Sequence, residues 1–312
     1  MRIPFVGEDE TTAGGRDASH TGFRLHEHPW LSVGAVLTFE TLAIVLVILV
    51  FTVANVPESP LRSVLQPTTF HFLFIFLFAP YVLRLPSGRQ PLSAYLDEIR
   101  LTRIRPLGRL FFLGLSCSLI LVVSQAAGVL VYRLTLGEPL TAEFVLGVVD
   151  ISSLVPPESW SLLVSLPSAL EEVTFRGVLL FTLLQTFTKR KAVVVSAGAF
   201  GLIHLLNIPL GTGSDVVWVL GQVGWSFLIG LFYGYVVLRT DSLLPAMLVH
   251  YLGNAFVGSI TWYVQATASV ETQVLYGLVF SVGVIPVVGM TLWARYATAR
   301  WFSTEQATVV SP

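Results

Sequence analysis

The sequence predicts an all-α, polytopic membrane protein, a bundle of about eight transmembrane helices. Three observations predict it. Of 312 residues, 54% are hydrophobic and only 12% are charged, and the mean hydropathy is +0.76. A soluble domain carries about 25% charged residues, so half that density cannot coat a water-facing surface of this size. Apolar runs near the roughly 20 residues needed to cross a bilayer recur along the chain. The basic residues concentrate in alternate connections between those runs, and so on one side of the membrane.

The chain opens on a polar stretch, 1–29, with no apolar core of the kind a signal peptide has. It reads as a mobile tail, and its His20, His26 and His28 as solvated. The membrane domain is expected over 30–300, with a short C-terminal tail at 301–312. The candidate spans are 31–55, 68–85, 108–132, 159–188, 191–208, 216–238, 242–263 and 272–295. The second is short and has an uncertain exit at Pro80. The fourth is long and contains Pro167. Between the second and third lies 92-LSAYLDEIRLTRI-104. Its mixed apolar and basic positions fit either an interfacial helix drawn to anionic headgroups or a solvated loop. The single cysteine, Cys117, rules out an intramolecular disulfide and a cysteine-based zinc cluster.

Positive charge orients such a bundle. With the N-terminus in the cytoplasm, Arg2, Arg16 and Arg24, the six arginines between 84 and 109, Lys189, Arg190, Lys191, Arg239, Arg295 and Arg300 all fall on the cytoplasmic side. Of the 18 Lys and Arg, only Arg62, Arg133 and Arg176 do not. The expectation is an integral protein of the cell membrane with both termini inside. A net charge of -1 gives no reason to invoke nucleic acid; the expected partners are membrane lipids and a peptide or protein substrate.

Ionisable groups inside a membrane are costly and mark function by default. Here they are Glu40, His71, Glu171, Glu172, Arg176, His204 and His250, with Gln125, Gln222 and Asn254 as neutral companions. Helical residues four apart share a face. Glu172 and Arg176 are therefore stacked as an ion pair, while Glu171 points elsewhere and stays free. A desolvated free carboxylate suits a general base. His250 and Asn254 share a face, as do Phe200 and His204. Gly198, Gly201, Gly253 and Gly258 are expected to let these helices approach closely, gathering one polar pocket. His71 reads as a structural hydrogen-bonding residue near a helix start. Glu40 has no visible partner.

Three strings carry a resemblance: 171-EEVTFR-176, 200-FGLIH-204 and 250-HYLGN-254. As EExxxR, FxxxH and HxxxN on three late helices, they resemble the CPBP (Abi) family of CAAX proteases and bacteriocin-processing enzymes. The type II CAAX prenyl endopeptidase is its eukaryotic member. The resemblance covers about 155–262. It implies an intramembrane endopeptidase with its active site inside an eight-helix bundle, open to the cytoplasm. Glu171 would activate water with help from His204. His250 and Asn254 would stabilise the oxyanion, and Glu172 and Arg176, with Phe200, would shape the site or touch substrate. The substrate of the eukaryotic relatives is a prenylated protein C-terminus.

No serine or cysteine pairs with a histidine in these strings, which disfavours a covalent nucleophile. No cofactor is expected. The alternative is zinc on His204, His250 and Glu171, but no HExxH occurs. A non-catalytic scaffold or immunity protein could use the same polar pocket for packing. A proton-coupled transporter would call for internal repeats, which the sequence lacks. Depth poses one difficulty. At 1.5 Å per residue, Glu171 lies about 27 Å from Lys189, His204 about 20 Å from Lys191, and His250 about 14 Å from Asp241. A kink at Pro167, a tilted helix or an extension near 185–190 would reconcile them.

Overall fold

The structure is a computed structural model, described here over residues 23–148, 150, 160–209 and 215–302. Most of the polar tail, including His20, therefore lies outside the described residues, as does 303–312. Every regular element among the described residues is helical.

Helix α1 spans Pro29–Val53, with Pro29 in the first turn, where its missing N–H costs nothing. A 3-10 turn, Leu25–Glu27, precedes it and is tied down by the Ser32 hydroxyl donating to Leu25 O at 2.8 Å. Helix α2, Pro60–Leu73, starts at Ser59, whose Oγ accepts from Arg62 N–H at 3.2 Å. It begins eight residues before the apolar run and continues as a π-helix, π1, over Phe74–Leu83. Pro80 thus does not end the segment; it sits inside the wider π turn. The run 92–104 contains a short helix, α3, Leu92–Glu98. It docks on protein: Tyr95 and Ile99 are fully buried. The Tyr95 hydroxyl donates to Ile75 O at 2.7 Å, filling a carbonyl of π1.

Helix α4, Leu107–Thr135, is the longest, and α5, Ala142–Val148, follows it. The fourth apolar run is broken into pieces. These are α6, Ser161–Val164; α7, Ser168–Glu172; a π-helix, π2, Val173–Leu179; and α8, Leu180–Leu183. Helix α9, Lys189–Ile203, is capped by Thr188 and runs into a 3-10 turn, His204–Asn207. Helix α10, Val216–Thr240, is capped by Asp215 and stopped by Asp241 in the left-handed region. Helix α11, Leu244–Thr267, is followed by α12, Val270–Tyr276; a π-helix, π3, Gly277–Ser281; and α13, Val284–Trp301.

Among the described residues, five helical segments are long and apolar enough to cross a membrane: Pro29–Val53, Pro60–Leu83, Leu107–Thr135, Val216–Thr240 and Val270–Trp301. This is fewer than the eight runs expected. The three that fall short, the fourth, fifth and seventh, carry the polar motifs. Their polar side chains lower the hydropathy, and breaks shorten two of them. Outward-facing Leu49, Val53, Phe112, Leu119 and Leu292 are more than half exposed. Such an apolar belt is stable only against lipid, and the chain is an integral membrane protein.

Helix α4 packs along α11, α9 along α10, and α1 along α2. π2 lies between them, touching α1, α9, α10 and π1. Every side chain from Val173 to Leu179 is buried. The glutamates and Arg176 therefore sit at the centre of the bundle.

Candidate active site

Glu171 and Glu172 close α7, and Arg176 lies one turn on, inside π2. π turns are rare and recur at functional sites. In this one the carbonyl of Phe175 accepts both the Leu180 N–H of the π turn and the Ser196 hydroxyl of α9, the latter at 2.7 Å. The segment also ends at Leu183, six residues before Lys189. That early end shortens the helical stretch between Glu171 and Lys189, so the depth expected of a straight helix does not apply.

The two glutamates have different surroundings. Glu172 is fully buried. Its Oε1 accepts from His250 Nδ1 at 2.8 Å, and its Oε2 lies 3.3 Å from Arg176 Nε. The ion pair expected from the i, i+4 spacing is present, and His250 is a second partner that spacing could not reveal. Arg176 is also fully buried. Its guanidinium lies 4.2 Å from the Phe200 ring centre and 5.3 Å from that of Tyr233. Aromatic faces thus share the charge with Glu172. Glu171 is half-buried and makes no hydrogen bond or ion pair with a described residue.

Phe200 organises the histidines. Its ring packs edge-on against His204 at 5.1 Å and His250 at 5.7 Å. Tyr233 stacks on His250 from the other side at 5.4 Å. His204 Nδ1 lies 2.8 Å from Phe200 O. A carbonyl only accepts, so Nδ1 carries a proton, and in the neutral ring Nε2 is the acceptor. Nδ1 of His250 is likewise held by a carboxylate.

The expected residues do not all line one cavity. A cavity of about 250 Å³ is lined by Glu171 and His204 together with Glu40, His71, Phe175 and Asn207. A second, of about 180 Å³, is lined by Asn254, Gln222, Trp218 and Trp225. His250 lines neither and is buried behind Glu172. The two cavities are linked by Asn207 Nδ2 donating to Gln222 Oε1 at 2.8 Å.

Two expectations about packing change. Glu40 does have a partner: His71 Nδ1 lies 3.0 Å from Glu40 Oε1, close but without hydrogen-bond alignment, and both are buried. Of the four glycines expected to permit close approach, only two do. A methyl on Gly201 would lie 2.8 Å from Val223 O, and one on Gly253 would lie 2.7 Å from Leu121. Gly198 and Gly258 face open space. A further close approach is at Gly230 of α10, where a methyl would lie 2.6 Å from Arg176 Nη2. Asn207 and Tyr233 join the site although no motif contains them. Asn207 has a faint signal, since it lies three positions after His204; Tyr233 has none.

Zinc on His204, His250 and Glu171 would need these side chains to converge. No group of three His, Cys, Asp or Glu is arranged to hold an ion among the described residues. Glu171 and His204 share a cavity that His250 does not line.

Residues 156–256 match the family model of the Rce1-like type II CAAX prenyl endopeptidases. The matched stretch contains all three motifs and supports the resemblance read from them. No curated protein and no solved structure matches the chain. The match spans about a third of the chain.

Proposed function

We propose that this chain is an intramembrane endopeptidase in which Glu171 activates water. One observation carries the reading. Of two adjacent glutamates, Glu172 is committed to His250 and Arg176, while Glu171 faces a cavity with His204 beside it. A carboxylate spared from ion pairing in a low-dielectric cavity can take a proton from water. The Nε2 acceptor of His204 can hold that water's second hydrogen, leaving the oxygen lone pair aimed at a carbonyl. General-base assistance of this kind is worth about 10²- to 10⁴-fold.

Hydrolysis also needs donors where the carbonyl oxygen becomes negative. With Nδ1 held by Glu172, His250 can donate only from Nε2, and only while it carries both protons. Glu172 supplies the counter-charge for that form. The Asn254 amide, one helical turn along α11, would be the second donor to a substrate that reaches the neighbouring cavity it lines. Glu172 and Arg176 act through His250 and Phe200, holding them in position. We further propose eight membrane passes in the cell membrane, both termini in the cytoplasm, and a prenylated C-terminal peptide as substrate. No metal step is needed.

The test is cleavage by the purified protein in lipid. The panel holds prenylated CAAX peptides and unmodified transmembrane peptides, with Glu171→Ala in parallel. Loss of cleavage in the variant at unchanged thermal stability is expected, with prenylated peptides preferred. Retained cleavage would remove Glu171 from the chemistry. The pocket would then be packing, as in a scaffold or immunity protein.

A further inference from the structure

Glu40 and His71 lie far from the three motifs in sequence, yet both line the cavity that holds Glu171 and His204. Glu40 comes from α1 and His71 from α2. Both are buried, and in a membrane bundle such groups carry a heavy desolvation cost. A purely apolar contact would tie α1 to α2 without that cost. His71 Nδ1 faces Glu40 Oε1 at 3.0 Å, and no described residue hydrogen-bonds its Nε2. A carboxylate at Nδ1 with Nε2 left over is the arrangement that lets a histidine hold and release a proton. The rest of the wall is apolar, including Ile44, Ile48, Phe70 and Phe175. The cavity, about 250 Å³, accommodates a peptide group and a water, whose share of liquid volume is about 30 Å³.

Building on the proposed protease reading, we propose that the Glu40–His71 pair is the general acid that protonates the leaving amine. Glu171 takes one proton from water, and the water oxygen bonds to the carbonyl carbon. The resulting oxyanion collapses, the C–N bond breaks, and its electron pair stays on nitrogen. That nitrogen takes the Nε2 proton of His71. The enzyme is left with protonated Glu171 and neutral His71 beside the Glu40 carboxylate. Water in the shared cavity returns the proton from Glu171 to His71, so the cycle closes with no other reactant. His204 is given to holding the attacking water through Nε2, so the acid is assigned to the other histidine of the cavity. The division places base and acid on separate helices facing one cavity.

The discriminating measurement varies the leaving group. A farnesylated CAAX peptide is compared with its thioester analogue, whose thiolate departs without a proton. His71→Gln is expected to lower kcat on the peptide about 100-fold with KM nearly unchanged, since general acids supply about 10²–10⁴. On the thioester it should stay within about threefold of the parent, and Glu40→Gln should show the same split more weakly. Glu171→Gln should fail on both substrates. Equal losses on both substrates in His71→Gln and Glu40→Gln would mark the pair as structural and overturn the proposal. So would full peptide activity in His71→Gln. If His71→Gln does not fold, Glu40→Gln alone decides by the same split. A parent protein that cleaves neither substrate would instead overturn the protease reading, and the proposal with it.

Discussion

At the scale of single residues, the two glutamates predict opposite phenotypes. Glu171→Gln removes the base and touches no partner, so cleavage should fall by about 10³-fold while the melting temperature holds. Glu172→Ala leaves His250 and a fully buried Arg176 without their counter-charge. Breaking a buried pair on one side costs about 3–5 kcal/mol, so this variant should lose both activity and stability. Activity assays beside thermal melts check the contrast; similar melting temperatures for the two would contradict it. The asymmetry was legible in the sequence, because Arg176 lies four residues from Glu172 and five from Glu171. The bond from His250 was not legible. It spans 78 positions and depends on how α11 rotates against α7.

At the scale of elements, π2 and the α9–α10 contact decide where Arg176 sits. Replacing a helical glycine with alanine ordinarily gains about 1 kcal/mol. At Gly230 the new methyl would meet Arg176 Nη2 at 2.6 Å and Ala197 Cβ at 3.1 Å. Overpacking typically costs about 1–3 kcal/mol, so the clash wins. Gly230→Ala should lower the melting temperature and, by displacing Arg176 from Phe200, depress kcat. Gly198→Ala, with no atom within 4 Å, should leave both unchanged or raise stability slightly. Equal behaviour of the two variants would show that the close approach at Gly230 is not maintained. From sequence alone the glycines of FGLIH and HYLGN drew attention because they adjoin the motifs. A glycine's use depends on which neighbour it faces, and Gly230 adjoins no motif.

At the scale of the whole molecule, the loop after α3 is clasped to the turn after α10. Arg100 Nε donates to Asp241 Oδ1 at 2.5 Å, and Arg103 pairs with both Asp241 and Asp97. The hydrogen bond from Arg103 holds the Asp97 carboxyl below the usual carboxylate range, and the same bond raises Arg103. A depressed carboxylate contributes its stability in full above its unfolded value of about 3.9 and loses it as pH falls through the folded value. The melting difference between the parent and Asp97→Asn should therefore be flat from pH 8 to 6 and vanish in strong acid. It should be small throughout and shrink with salt, because both partners are well exposed. A difference growing between pH 6 and 8 would contradict the assignment.

Composition determined the solvent, because a chain this poor in charge can bury its surface only against lipid. Spacing determined the Glu172–Arg176 pair and the shared face of Phe200 and His204, because a helix fixes the angle between residues four apart. Only tertiary structure decided the rest. It brought Glu40 and His71 of the first two helices into the cavity of Glu171. It also set His250 behind Glu172 and turned Asn254 towards a neighbouring cavity. Those relations depend on how separate helices rotate and pack, and local periodicity carries no information about that.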